Sequence, residues 1–233
     1  MHFHLPKPLH GWRKFAGEVG IIVLGVLIAL ALDQLVDDLR WRRKLDQSED
    51  YMRVEMARDR SSAAQYSILA PCADAYMDRM RADLIAGNSI DLNRLYANGP
   101  PFVREAWTAT AWDTAVASQI GDHMNARKFL DYAEAFRRAN LLRDWQLRLR
   151  DDYVTAMVGR LGINNASALA TEITAVEMLH SDMTVTRDTA QHFIVNSDAL
   201  GVGPYPQRLA AYKARADTCM RALASTAGAH ARS

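Results

Sequence analysis

Side chains able to do chemistry are few in this chain and lie far apart. Cys72 and Cys219 are its only cysteines. A thiol either stays reduced and packs as a small hydrophobe or joins a second thiol in a bridge. Each cysteine falls on an apolar stripe of helical spacing: Leu69, Cys72, Tyr76 and Met80 for one, Leu209, Tyr212, Ala216, Cys219 and Leu223 for the other. Two buried free thiols fit that placement. A disulfide joining the first and last helices of a bundle fits it too, and it would require an oxidising compartment.

The histidines and acids point to no reaction. His2, His4 and His10 sit in a short N-terminal tail, where no second shell would orient them around a metal. His180 lies on an apolar seam and reads as a core histidine rather than a ligand or base. His123 and His192 have no partner at ligand spacing. Arg148, Arg150, Asp151 and Asp152 make a charged helical face, and Glu172 and Glu177 do not share a face as paired acids would. Asn165-Ala166-Ser167 matches a glycosylation acceptor but is better explained as a helix cap. No phosphate-binding loop, G-x-G-x-x-G, G-x-S-x-G or H-E-x-x-H occurs. The expectation is a non-enzymatic protein without cofactor or metal.

The segment that must position everything else is Phe15 to Val36, whose center, Val19 to Leu32, carries no charge. As a helix, Phe15 to Val36 spans about 33 Å, enough for a hydrocarbon core of about 30 Å. Glu18 and Asp33 then sit near its two boundaries, with Lys14 one turn from Glu18 and able to pair with it. Trp12 and Trp41 lie about 43 Å apart along such a helix, matching a bilayer with its headgroup zones, where tryptophan concentrates. A cleaved signal peptide is the weaker alternative, because Ala29-Leu30-Ala31 lies inside the apolar run. Ala16 with Gly20, and Gly25 with Ala29, are small residues four apart, which lets another membrane helix approach closely. Glu18 adds to that expectation, since an acid at this depth favours a partner.

Charge does not orient the anchor. Lys7, Arg13 and Lys14 precede it, and Arg40, Arg42, Arg43 and Lys44 follow it, nearly a tie. The disulfide reading breaks the tie and places the C-terminal domain outside the cytoplasm. Arg40 to Lys44 also reads as an interfacial collar for lipid headgroups, blunted by Asp37 and Asp38. Hydrophobic residues make up 49% and charged ones 24%, as in a folded domain. The net charge of +1, with signs mixed throughout, argues against a nucleic-acid partner.

The expected fold is all-α. A tail over 1–14 precedes the transmembrane anchor, 15–36, which continues as a juxtamembrane helix, 37–70, because no glycine or proline occurs from Val26 to Ala70. Pro71 kinks it or starts a new helix, and an antiparallel helical bundle occupies 71–224. Within it, Gly87 to Pro101 reads as a loop with one turn at Leu92 to Tyr96. A helix over Glu105 to Ser118 comes next, then a long one over Asn125 to Leu161 carrying Phe129, Tyr132, Phe136, Leu142, Trp145, Leu149 and Tyr153. Leu169, Ile173, Val176, His180, Met183, Arg187, Ala190 and Ile194 space the following helix by fours and threes. A last helix, Gln207 to Leu223, precedes a loose tail, 225–233.

Gly11-Trp12-Arg13, followed by Gly17-Glu18-Val19-Gly20-Ile21-Ile22-Val23-Leu24-Gly25-Val26-Leu27-Ile28-Ala29-Leu30, resembles the opening of a group of bacterial single-pass proteins of unknown function. Trp112 with Ala115 and Ser118, and the aromatic helix from Phe129 to Phe136, are similar to their soluble domain. The resemblance implies an N-terminal anchor in the bacterial inner membrane followed by a helical domain, and it brings no activity. The combined expectation is an accessory subunit whose periplasmic bundle docks on a larger membrane complex or on a second copy. The alternative is a ligand-sensing ectodomain acting through a partner.

Overall fold

A computed structural model describes residues 11–86, 107–159 and 166–230, and all regular structure among them is helical. Helix α1 spans Trp12–Ile85, α2 Thr110–Ala117, α3 Ala126–Gly159, α4 Ala166–Ala199 and α5 Pro206–His230, with a 3-10 turn over Ile120–Asp122 between α2 and α3. Two compact units divide the chain at Gln47 and Ser48.

In the first unit, α1 is the one helix among the described residues long and apolar enough to cross a membrane. A helix satisfies its backbone groups internally, which hydrocarbon demands. Every residue of α1 from Phe15 to Arg40 is exposed, the large apolar ones included. The chain thus has the build of a single-pass membrane protein followed by a helical bundle.

In the second unit, α1 is the central helix, with no exposed residue from 55 to 66. It continues through Pro71. Proline there removes the partner of the Ser67 carbonyl, but both residues are exposed, on the face where water can replace the lost bond. Helix α4 runs antiparallel to α1, as ion pairs Arg60–Asp198, Asp74–Arg187 and Arg81–Glu177 show. Helices α3 and α5 run parallel to α1: Lys128 pairs with Glu49 near the start, Tyr205 just before α5 meets Ser61, and Cys219 within α5 meets Cys72. Within the expected antiparallel bundle, α4 is therefore the reversed member.

Tyr76, Met77, Met80 and Leu84 of α1 pack with Leu149 of α3 and with Val176 and Leu179 of α4. Aromatic rings build a second layer. Trp107 stacks on Tyr66 at 6.5 Å and meets Phe193 edge-on at 5.7 Å, while Trp112 stacks on Phe136 at 5.7 Å.

Local chemistry sets the helix ends. Asn125 caps α3, its Oδ1 accepting from the N–H groups of Arg127 at 3.0 Å and Lys128 at 3.3 Å. Gly201, at φ 66°, follows α4 in the left-handed region, and the N–H of Val202 donates to the Ser197 carbonyl while that of Gly201 donates to Asp198. This is a Schellman closure. Pro206 opens α5, where its missing N–H costs no bond.

Three details differ from expectation. Helix α2 begins at Thr110 rather than Glu105, with Trp107 to Ala109 outside the helix. The buried seam of α4 is Glu172, Val176, Leu179, Thr186, Ala190, Phe193 and Ser197, rotated by about one residue from the expected stripe, and His180 and Arg187 lie at its margin, one of the two placements the spacing allows. Helix α5 runs on to His230, into the stretch read as a loose tail. The loop at 87–101, the turn at Leu92 to Tyr96, the Asn165 cap and His2, His4 and His10 lie outside the described residues, as does the Lys14 side chain.

Candidate functional site

One polar cluster has no forewarning in the sequence pattern and joins α1 to the start of α2. It arises because α2 has no cap of its own: Ala109 precedes it and offers no side-chain acceptor. Glu55, reaching across from α1, takes that role. Its Oε1 accepts from the N–H of Thr110 at 3.1 Å and its Oε2 from that of Ala111 at 2.8 Å. The Thr108 hydroxyl also donates to Glu55 and itself accepts from the Arg58 guanidinium. A carboxylate at a helix start is favoured by the donors and by the dipole.

Asp59, one turn further along α1, is fully buried. Its Oδ1 accepts from Arg58 Nε at 3.3 Å and the backbone N–H of Thr108 also favours its charged form, while Oδ2 has no hydrogen-bond partner among the described residues. Burial pushes its pKa up to about 7, against the pull of Arg58. Glu55, Arg58 and Asp59 thus form a clamp on Thr108 to Ala111, and one member titrates near neutrality.

The clamp floors an open cleft of about 470 Å³ walled by Tyr51 and Val54 of α1, Ala111 and Thr114 of α2, and Tyr205. Tyr51 is 69% and Val54 60% exposed, a large apolar display for surface side chains. Tyr205 is fixed by its N–H donating to Ser61 Oγ at 2.8 Å. Apolar walls over a floor of Glu55 and Arg58 suit the seating of an amphipathic group.

The residues singled out from sequence fall into place separately. Cys72 and Cys219 are bonded to each other, with Cα atoms 6.0 Å apart, a span normal for a disulfide. His180 and Arg187 converge on Asp74 of α1, at 3.4 Å and 3.0 Å, an ion-pair group that ties α4 to α1. His192 lies 3.6 Å from Asp188, and Asp151 pairs with Arg150 at 3.1 Å. Asp152 faces Asp182 across α3 and α4, and burial, then the neighbouring carboxyl, raises its pKa. Glu172 is buried, whereas Glu177 reaches out to Arg81 at 3.2 Å. Among the described residues, no three His, Cys, Asp or Glu side chains gather as metal ligands would.

On the anchor, Ala16, Glu18, Gly20, Gly25 and Ala29 are all exposed, and a Cβ added at Gly20 or Gly25 would meet nothing within 4 Å. Trp12 is exposed, and the Lys44 ammonium lies 4.6 Å above the Trp41 ring. Comparison with protein-family models, with characterised proteins and with solved structures gives no match.

Proposed function

We propose that this chain is a membrane-anchored, non-enzymatic accessory subunit, which joins a larger membrane complex or a second copy of itself. The observation carrying this reading is that two small-residue pairs of the anchor, Ala16 with Gly20 and, on the opposite side of the helix, Gly25 with Ala29, are exposed and leave room for close approach by another helix. In the second unit, the charged groups that bridge helices, such as Glu55, Asp74 and Arg187, are engaged in holding α2 and α4 to α1. That pattern suits a scaffold more than a reaction centre.

The Cys72–Cys219 bridge supports placing the bundle on the oxidising side, the periplasmic face of a bacterial inner membrane, in line with the resemblance of the anchor. Membrane lipids and another membrane protein are the partners of this reading, with no role for nucleic acid. Extraction in mild detergent followed by crosslinking tests it: a defined higher-mass species is expected. Monomer alone under every gentle condition overturns it.

The cleft above Glu55 and Arg58 favours a second reading, a ligand-sensing ectodomain whose output belongs to a partner. A ligand-dependent rise in Tm that Tyr51→Ala abolishes separates it from the first.

A further inference from the structure

We propose that Arg40, Arg43 and Lys44 hold the phosphate of an anionic phospholipid whose acyl chains lie along Leu32, Val36 and Leu39. The inference rests on reading α1 as a membrane anchor and adds a lipid class and a site to it.

Arg40, Arg43 and Lys44 stand at i, i+3 and i+4, so they share one face of α1. Arg42 projects from another side, one turn after Asp38. All three bases are exposed, and Leu32, Val36 and Leu39 lie below them on the same side, exposed as well. In a helix the Cα–Cβ bonds tilt toward the N-terminus. On α1 that is the direction of the apolar run, so these long side chains reach back by about one turn, ~5 Å, to the level of its last apolar residues.

The local pairing leaves positive charge available. Arg40 meets Asp37 at 3.2 Å, but both side chains are highly exposed, and such a pair is weak. Lys44 rests 4.6 Å over the Trp41 ring, which leaves its charge intact and fixes it beside an interfacial indole. Arg43 makes no ion pair among the described residues. Asp38 stands on the Arg42 side, whereas Asp37 shares the face of the three bases and offsets one of them. A phosphate with a bidentate guanidinium, a second guanidinium and an ammonium has the donors it needs.

The test uses the full chain with its disulfide intact, in detergent with equal amounts of phosphatidylglycerol and phosphatidylcholine, and counts retained lipids by native mass spectrometry. Retention of phosphatidylglycerol over phosphatidylcholine by about tenfold or more is expected, with a loss of about fivefold per base removed. R40Q/R43Q should therefore approach parity, R40K/R43K should keep only part of the preference because lysine cannot replace the bidentate guanidinium, and R42Q should leave it unchanged. Helical circular dichroism checks that each variant is folded. Parity in the wild type overturns the proposal. So does an equal loss with R42Q, which would mean diffuse charge, or inorganic phosphate displacing the lipid, which would mean a free-anion site. Failure of the anchor reading shows separately, as full-length chain released from membranes by alkaline carbonate.

Discussion

Arg53 and Glu55 stand two residues apart on α1 and hold opposite ends of two other helices. Glu55 accepts from the first N–H groups of α2, while Arg53 donates to the carbonyls of Leu200 and Gly201 in the turn that closes α4, both at 2.9 Å. Each charge has the sign that the helix end it faces favours. The central helix therefore positions its neighbours by their ends as well as by their sides.

Glu55→Ala should lower stability by about 1–2 kcal/mol, the range for losing a cap with its hydrogen bonds. The loss should be local first. Amide exchange at Thr110 and Ala111 should accelerate more than at Leu142 in the core of α3.

Stability should depend on pH through Asp59. Burial pushes its carboxyl up to about 7 in the folded chain, from an ordinary value of 3.8, so between these values the folded chain holds a proton the unfolded chain has lost. Stability then falls as pH rises from about 4 to about 7, and levels off above that, by at most roughly 4 kcal/mol. Asp59→Asn should flatten the slope in urea unfolding of the full chain. An unchanged slope would assign it to another group.

Reduction of the bridge, or Cys72→Ser with Cys219→Ser, should lower stability by up to about 5 kcal/mol, since the two cysteines are 147 residues apart. The readout is Tm with and without reductant. The wild type should move and the double variant should not.

Gly121→Ala should cost about 1–2 kcal/mol. A Cβ there would lie 2.7 Å from the Phe129 ring, which tilts against Trp112 at 5.1 Å and has little room to retreat. Near-ultraviolet circular dichroism should change with the aromatic packing.

The outline of the fold was readable because membrane and core impose strong patterns. An uncharged run from Val19 to Leu32 is the pattern a membrane span requires, and Tyr132, Phe136, Leu142 and Leu149 of α3 mark its buried side directly. The seam of α4 was harder. Thr186 and Ser197 are buried although polar, because each hydroxyl donates to the carbonyl four residues back, at 2.7 Å and 2.8 Å. A count of apolar residues passes over them and selects the neighbouring stripe. Glu55 and Asp59 were missed for a related reason. On sequence they sit among Arg53, Arg58 and Arg60 as if on a solvated face, and only the arrival of Thr108 to Ala111, distant in the chain, makes them a clamp. Trp107 was assigned to a helix because nothing in its own neighbourhood announces that Glu55 sets the start of α2.

The covalent link between Cys72 and Cys219 also has a mechanical consequence. A tug applied between the lipid-embedded end and the far terminus passes through the sulfurs, so the intervening 147-residue separation adds nothing to the extensible contour. Roughly 500 Å of slack is thereby locked away.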